Sequence, residues 1–252
     1  MMREFFKIVV RSLLKPLAKI YIWRTKPHIV VIAGTTARYW VKEAVVEALK
    51  EKGLPVRANV KHFNAEIGLP LSILNLPSGE GSFWGWAMVL KKAAAKTFGA
   101  AKIPKENLIL EMAIDHPDNM NYLLSIVKPQ VAILTTVTMI YQEHFENLDE
   151  IAREYQKLAN VLPANGLLVL NADDERIFKL KKFASCPVTS YGIENKEADY
   201  LAKNIKKNID GQTFELRRPR AESETIKINR FGQHHIYAAL VKKIVAEKIK
   251  IN

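Results

Sequence analysis

The chain has one cysteine, Cys186, in 252 residues. An internal disulfide is therefore excluded, and so is a cysteine-based metal cluster. Cys186 stands just before Pro187 at an expected strand start, so it reads as a plain buried thiol, and a reducing, cytoplasmic setting fits. No uncharged run approaches the ~20 apolar residues that a membrane-spanning helix needs. The N-terminus also lacks the unbroken apolar stretch and small-residue cleavage site of a secretory signal. There is no internal repeat and no low-complexity tract. Glycine and proline, 11 of each, are too few to suggest disorder. No nucleic-acid motif is present, so nucleic acid is not an expected partner.

What the chain has in excess is positive charge. Its net charge is +12, from 38 basic and 26 acidic residues. Half of that lies in residues 1–26, where Arg3, Lys7, Arg11, Lys15, Lys19, Arg24 and Lys26 face Glu4 alone. Cations every four residues between apolar clusters predict a basic amphipathic helix, bent at Pro16. Two readings of it stand side by side. It lies on an anionic membrane surface, with Tyr21 and Trp23 at the interface, or its apolar face packs on the rest of the protein or on a partner.

The stretch with the most chemistry is His28 to Lys42, HIVVIAGTTARYWVK. Ile29–Ala33 reads as a buried parallel strand. Gly34 breaks it, Thr35, Thr36 and Ala37 form a tight loop, and a helix begins at Arg38. Strand, glycine turn and helix start together make a phosphate cradle, because the first helical N–H groups are free to point at the loop. A working nucleotide loop needs glycine at position 37, lysine at 38 and a hydroxyl residue at 39 for Mg²⁺. The chain has Ala37, Arg38 and Tyr39.

Further strands are expected at Val56–Val60, Leu108–Met112, Val131–Leu134, Leu167–Leu170 and Pro187–Tyr191, alternating with helices. That alternation predicts an α/β fold with a mostly parallel, doubly wound sheet. Glu111 ends an apolar strand at the ligand edge of such a sheet. Since an isolated buried charge is costly, it should face a metal, a cation or water. Asp115 reads as the N-cap of a helix running to Val127, and Asp173 and Asp174 as acids at a helix start. Trp84 and Trp86 read as packing residues near the start of a helix over 83–98. From about 198 to 230 the pattern becomes three alternating strands, an antiparallel appendage. A last helix follows Phe231-Gly232-Gln233-His234-His235.

Six stretches in this order resemble the central domain of the Mur ligase family: VVIAGTTARYWVKEAV, FNAEIGLPLSIL, LILEMAIDHPDNMNYLLSIVKPQVAILTTV, LPANGLLVLNADDER, ADYLAKNI and FGQHHIYAAL. The nearest branch is the one that adds D-alanyl-D-alanine to a UDP-muramoyl tripeptide. The resemblance runs from about Lys26 to about Ile249, making 27–252 the central domain and 1–26 a separate helix. It implies a P-loop NTPase type of sheet and an enzyme that uses ATP and Mg²⁺ to form an acyl phosphate, which an amine then displaces. It places Glu111 on Mg²⁺, Asn171 and Asp174 beside the nucleotide pocket, and Gly34, Thr35, Thr36, Ala37 and Arg38 in the phosphate loop. His234 matches a nucleotide-site neighbour, and His235 replaces the asparagine that reads the nucleotide.

By the same resemblance, Arg38 replaces the loop lysine and Tyr39 the Mg²⁺-binding hydroxyl. Tyr141 stands where the family has a metal-binding histidine, with His144 three residues off register, and Tyr155 where many members carry a carbamylated lysine. The family's N-terminal UDP-sugar domain and C-terminal amine domain have no counterpart. Two functions follow. One is a catalytically impaired binding or scaffold module near cell-wall precursor synthesis. The other is a divergent ligase in which Arg38, Glu111 and His144 or His116 do the chemistry and a partner chain supplies the C-terminal domain. The expected ligands are a nucleotide or a UDP-sugar-type molecule. The expected location is the cytoplasm, with residues 1–26 on the inner membrane face.

Overall fold

The computed structural model describes residues 2–59, 63–80, 82–100, 105–139 and 143–249. The apolar runs form strands β1 (His28–Ala33), β2 (Val56–Ala58), β3 (Asn107–Met112), β4 (Val131–Leu134), β5 (Leu167–Asn171) and β6 (Val188–Gly192). All pair in parallel. The strand expected to reach Val60 stops at Ala58, and Val60 lies outside the described residues. Strands β7 (Tyr200–Asn208), β8 (Gly211–Arg217) and β9 (Glu224–Ile228) follow. β7 joins β6 in parallel, and β8 and β9 add antiparallel, giving one sheet in the order β2-β3-β1-β4-β5-β6-β7-β8-β9. The expected appendage is thus a continuation of the main sheet.

The helices are α1 (Met2–Thr25), α2 (Arg38–Glu51), α3 (Gly68–Leu74), α4 (Phe83–Phe98), α5 (Asn119–Leu124), α6 (Leu148–Val161), α7 (Glu175–Lys179) and α8 (Gln233–Lys248). They cover the two faces unequally, and the period-two alternation of each strand feeds both. Ile29, Val31 and Ala33 of β1 pack in one core with α1, α3, α4, α5 and α6. Val30 and Ile32 pack in the other with α2 and α8. Ile109 of β3 is in that second core. Glu111, two residues on, therefore points to the α2 side of the sheet.

α1 is one helix that runs through Pro16. Its inner stripe of Val10, Leu14, Ala18 and Tyr21 is buried in the first core. Of the two readings of this helix, packing on the domain holds for that stripe. Asp115 does not cap α5, a shorter helix than the one expected. The cap residue is Asp118, held at φ +67°. The free N–H groups at this end go to the buried carboxylate of Glu154, which accepts from Asp118 N at 3.0 Å and Met120 N at 3.1 Å. Asp115 N and His116 N instead donate to Asn119 Oδ1. Cys186 is a buried free thiol, and its burial pushes its pKa up. No helix among the described residues is long and apolar enough to cross a membrane.

Candidate functional site

β1 lies between β3 and β4, with Ala33 in register with both Met112 and Leu134. The loops leaving these three strands therefore meet at one sheet edge, the position where open α/β sheets bind ligands. The loop after β1 begins at Gly34, whose φ is +132°, and ends at Ala37, whose φ is +62°. Threonines lock it to the loop after β4. Thr35 N and Thr35 Oγ1 both donate to Thr136 O, at 2.8 and 3.0 Å. Thr138 N donates to Thr35 Oγ1 at 2.8 Å, and Thr135 Oγ1 donates to Thr36 O at 2.7 Å. The first amide bonded within α2 is that of Val41, to Ala37 O. The amides before it in the first turn have no carbonyl within the helix to bond, the general basis of anion binding at a helix start.

Ala37 is a side-chain-bearing residue in left-handed backbone, which costs ~1–2 kcal/mol. Ala37→Gly is expected to raise stability by about 0.5–1 kcal/mol after glycine's extra chain entropy is counted. The midpoint of urea unfolding reads this directly.

The charged residues here pair with one another. Lys42 is almost wholly buried. Its Nζ lies 2.9 Å from Glu111 Oε1 and 3.2 Å from Asn59 O. Asn59 Oδ1 accepts from Glu111 N at 3.0 Å, so one asparagine ties down both partners. The other carboxylate oxygen, Glu111 Oε2, is 3.9 Å from Arg38 Nε. Arg38 also folds back over the loop, its Nη1 donating to Gly34 O. The expectation that Glu111 faces a metal, a cation or water resolves to cations of the chain itself. Lys42 escaped the sequence reading, although it lies one helical turn beyond Arg38 and opposite the β3 positions that face α2.

Two clefts flank the loop. One, of about 620 Å³, is lined by Thr35, Thr36, Ala37, Arg38, Tyr39, Trp40, Asn64 and Glu111. The other, of about 590 Å³, has Thr36, Ala37, Trp40, Thr135, Thr136, Asn171, Tyr191, Gln233, His234 and Tyr237 in its walls. Both are within the ~300–1,000 Å³ of small-molecule sites. Trp40 stands between them, its ring 4.4 Å from that of His235 and 5.7 Å from that of His234. Burial, then the neighbouring His234 and Arg230, hold the His235 imidazole below its usual pKa, so it is neutral at pH 7. Tyr39 lies partly exposed with its ring edge on Trp40; it lines the first cleft and does not fill it.

The remaining candidates divide. Asn171 is buried in the wall of the second cleft and accepts from Asp173 N. Asp174 is a brace: Oδ1 accepts from Arg176 N and Ile177 N at the start of α7, and Oδ2 from Val137 N at 2.6 Å. Asp173 does not serve that helix start. It accepts from Ile193 N, Glu194 N, Asn195 N and Tyr237 Oη, and so fixes the wall of the second cleft. Burial, then that hydrogen bond, pushes the Tyr237 phenol well above its usual pKa.

His144 is not brought to Glu111. Its ring lies 6.4 Å from that of His116, whose Nδ1 is 2.6 Å from Asp115 Oδ1. Tyr155 is wholly buried in the core on α6, and Tyr141 lies outside the described residues. Among the described residues no group of three or more His, Cys, Asp or Glu side chains could hold a metal ion. Mg²⁺, which the resemblance implies at Glu111, does not fit a carboxylate already met by Lys42 and Arg38.

A family model, the Mur ligase middle domain, matches residues 93–246. The UDP-N-acetylmuramate–L-alanine ligase of Clostridium acetobutylicum is 31% identical over 125 residues, covering 49% of this chain and 27% of that protein. The UDP-N-acetylmuramoyl-tripeptide–D-alanyl-D-alanine ligase of Buchnera aphidicola is 24% identical over 249 residues, covering 97% of this chain and 48% of that protein. The solved MurF ligase from Thermotoga maritima in complex with ADP superposes with a TM-score of 0.73 at 22% identity. That match covers 94% of this chain and 48% of the other, and it is a likeness of fold. The chain spans about half the length, or less, of the curated relatives it matches.

Proposed function

Because the chain belongs to the Mur ligase middle-domain family, we propose that it is a nucleotide-binding member that has lost catalysis and serves as a binding or scaffold module tied to peptidoglycan precursor synthesis. The observation that carries this reading is the state of Glu111. Phosphoryl transfer needs a metal to bridge and neutralise the phosphate oxygens. Here Lys42 and Arg38 sit on the carboxylate that would hold one. Arg38 is a planar fork folded onto the loop, not the flexible point charge of a loop lysine.

Binding survives this loss in chemical terms. The loop keeps a helix start, whose first amides have no intrahelical acceptor, for an anion. The second cleft offers the ring of Trp40, the imidazole of His234 and the amide of Asn171 to a planar base. A UDP-sugar-type ligand carries the same pyrophosphate and planar base, so it is the second probe.

Calorimetric titration of ADP, ATP and UDP into the purified chain, with Mg²⁺ and with EDTA, tests the reading. The expected result is nucleotide binding whose affinity is unchanged by Mg²⁺, with no phosphate released from ATP. Trp40→Ala should weaken that binding. Mg²⁺-dependent binding with stoichiometric ATP turnover would overturn it in favour of a divergent ligase completed by a partner's C-terminal domain. Absence of binding at millimolar nucleotide would leave the clefts without the proposed ligand and also defeat it. The membrane expected as a partner of residues 1–26 is a separate proposal, carried by different side chains of α1.

A further inference from the structure

The inner stripe of α1 is spent on the core, yet the helix has a second apolar stripe. Val9, Leu13, Pro16, Ile20 and Trp23 recur at helical spacing on another side. Ile20 is half-buried and the other four are exposed, Trp23 by 74%. α4 repeats the arrangement. Trp86, Val89, Ala93 and Thr97 face inward, while Trp84, Met88, Ala95 and Phe98 form an outward row. Trp84 is 79% exposed and Phe98 64%. The expectation that both tryptophans of this helix pack inside therefore holds for Trp86 and fails for Trp84.

The two helices lie side by side on the same core. Their C-terminal ends are joined: Thr97 Oγ1 donates to Leu17 O, and Arg24 donates to Thr97 O and to Gly99 O. On α1, Leu17 and Arg24 lie between the inner and outer stripes, so α4 borders the outer stripe. The outward rows of the two helices thus belong to neighbouring helices of one face.

We propose that this α1–α4 face docks on an anionic lipid surface. Charge selects that occupant. Exposed Lys19, Lys26, Lys91 and Lys92 border the apolar rows. Neither residues 5–42 nor residues 81–105 contain an aspartate or glutamate. Aromatic and aliphatic side chains that project between lysines fit the boundary of headgroups and acyl chains, where the rings enter and the ammonium groups stay with the phosphates. The proposal is independent of nucleotide binding, because none of these residues lines either cleft.

Co-sedimentation with vesicles tests it. The whole chain should pellet with vesicles of phosphatidylcholine and phosphatidylglycerol at low salt, and much less with phosphatidylcholine alone or at high salt. Its tryptophan emission should shift to the blue on binding. The double variant Trp84→Glu/Phe98→Glu should lower the bound fraction by about tenfold or more, as expected when two apolar anchors become charges. Both sites are exposed, so its thermal unfolding should match that of the parent. A parent that stays in the supernatant with anionic vesicles overturns the proposal, as does a double variant that still pellets. Dimerisation of the parent that the double variant abolishes would assign the face to a second copy instead.

Discussion

Glu111→Gln is expected to cost about 3–5 kcal/mol of folding stability, because it strands a buried cation. Lys42 is 3% exposed and its ammonium has one charge partner within 3 Å, the Glu111 carboxylate. Glutamine keeps the volume and can still accept a hydrogen bond. What it removes is the charge that offsets the desolvation of Lys42 and Arg38. The second variant is Lys42→Met with Glu111→Gln. Removing both charges should recover much of the loss, since a buried pair replaced by apolar or neutral groups of like volume is often near neutral. Urea unfolding of the two single variants and the double variant gives the coupling. A cost below about 1 kcal/mol for Glu111→Gln would mean that the pair is solvated like a surface bridge. It would also remove the main support for a metal-free site.

Gly34→Ala is expected to be nearly as damaging, at about 3 kcal/mol or more, from backbone strain of ~1–3 kcal/mol and overpacking of similar size. Its φ of +132° is one that side-chain-bearing residues rarely adopt. A Cβ there would also sit 2.0 Å from Thr135 Oγ1 and 3.0 Å from Thr136 N. Thr135 is itself bonded to Thr36 O, so it cannot turn aside without opening the loop. The variant should therefore lose the proposed nucleotide affinity as well as stability. Thermal unfolding and an ADP titration of the same preparation separate the two effects. An unchanged melting point would show that the loop relaxes freely.

The parallel strands were legible because strands covered on both faces must be apolar throughout, and runs such as Ile29–Ala33 and Leu108–Leu110 have few alternatives. The loop after β1 was legible for the same reason, since a glycine between a buried strand and a helical pattern leaves little else. Glu111 was legible as a charge needing a partner. Its partner was not, because Lys42 is one lysine among many and only the side of β3 that faces α2 selects it. α1 was ambiguous for a physical cause: it carries two apolar stripes, one for the core and one exposed, and periodicity alone does not say which is buried. Asp115 and Asp118 are close in sequence and equally good cap residues by type. The choice between them was made by Glu154, a carboxylate from another helix, which no local pattern reveals. Asp173 and Asp174 divided their roles in the same way, through the distant loop at 193–195.

The second core has a consequence for how the chain is made. Its helices are α2 and α8, joined by Lys242 to Glu47 and Glu51 at 2.9 and 2.8 Å and by Lys52 Nζ to the carbonyls of Val245 and Ile249. α2 ends at Glu51 and α8 begins at Gln233. At ~5–20 residues/s of translation, α2 waits roughly 10–40 s for the segment that covers it. During that interval Val41, Val45, Ala48 and Leu49 face either solvent or a chaperone. The nascent chain therefore holds one half-finished side until α8 clears the ribosome, and a product stalled before α8 would keep that side open to the cell's proteases.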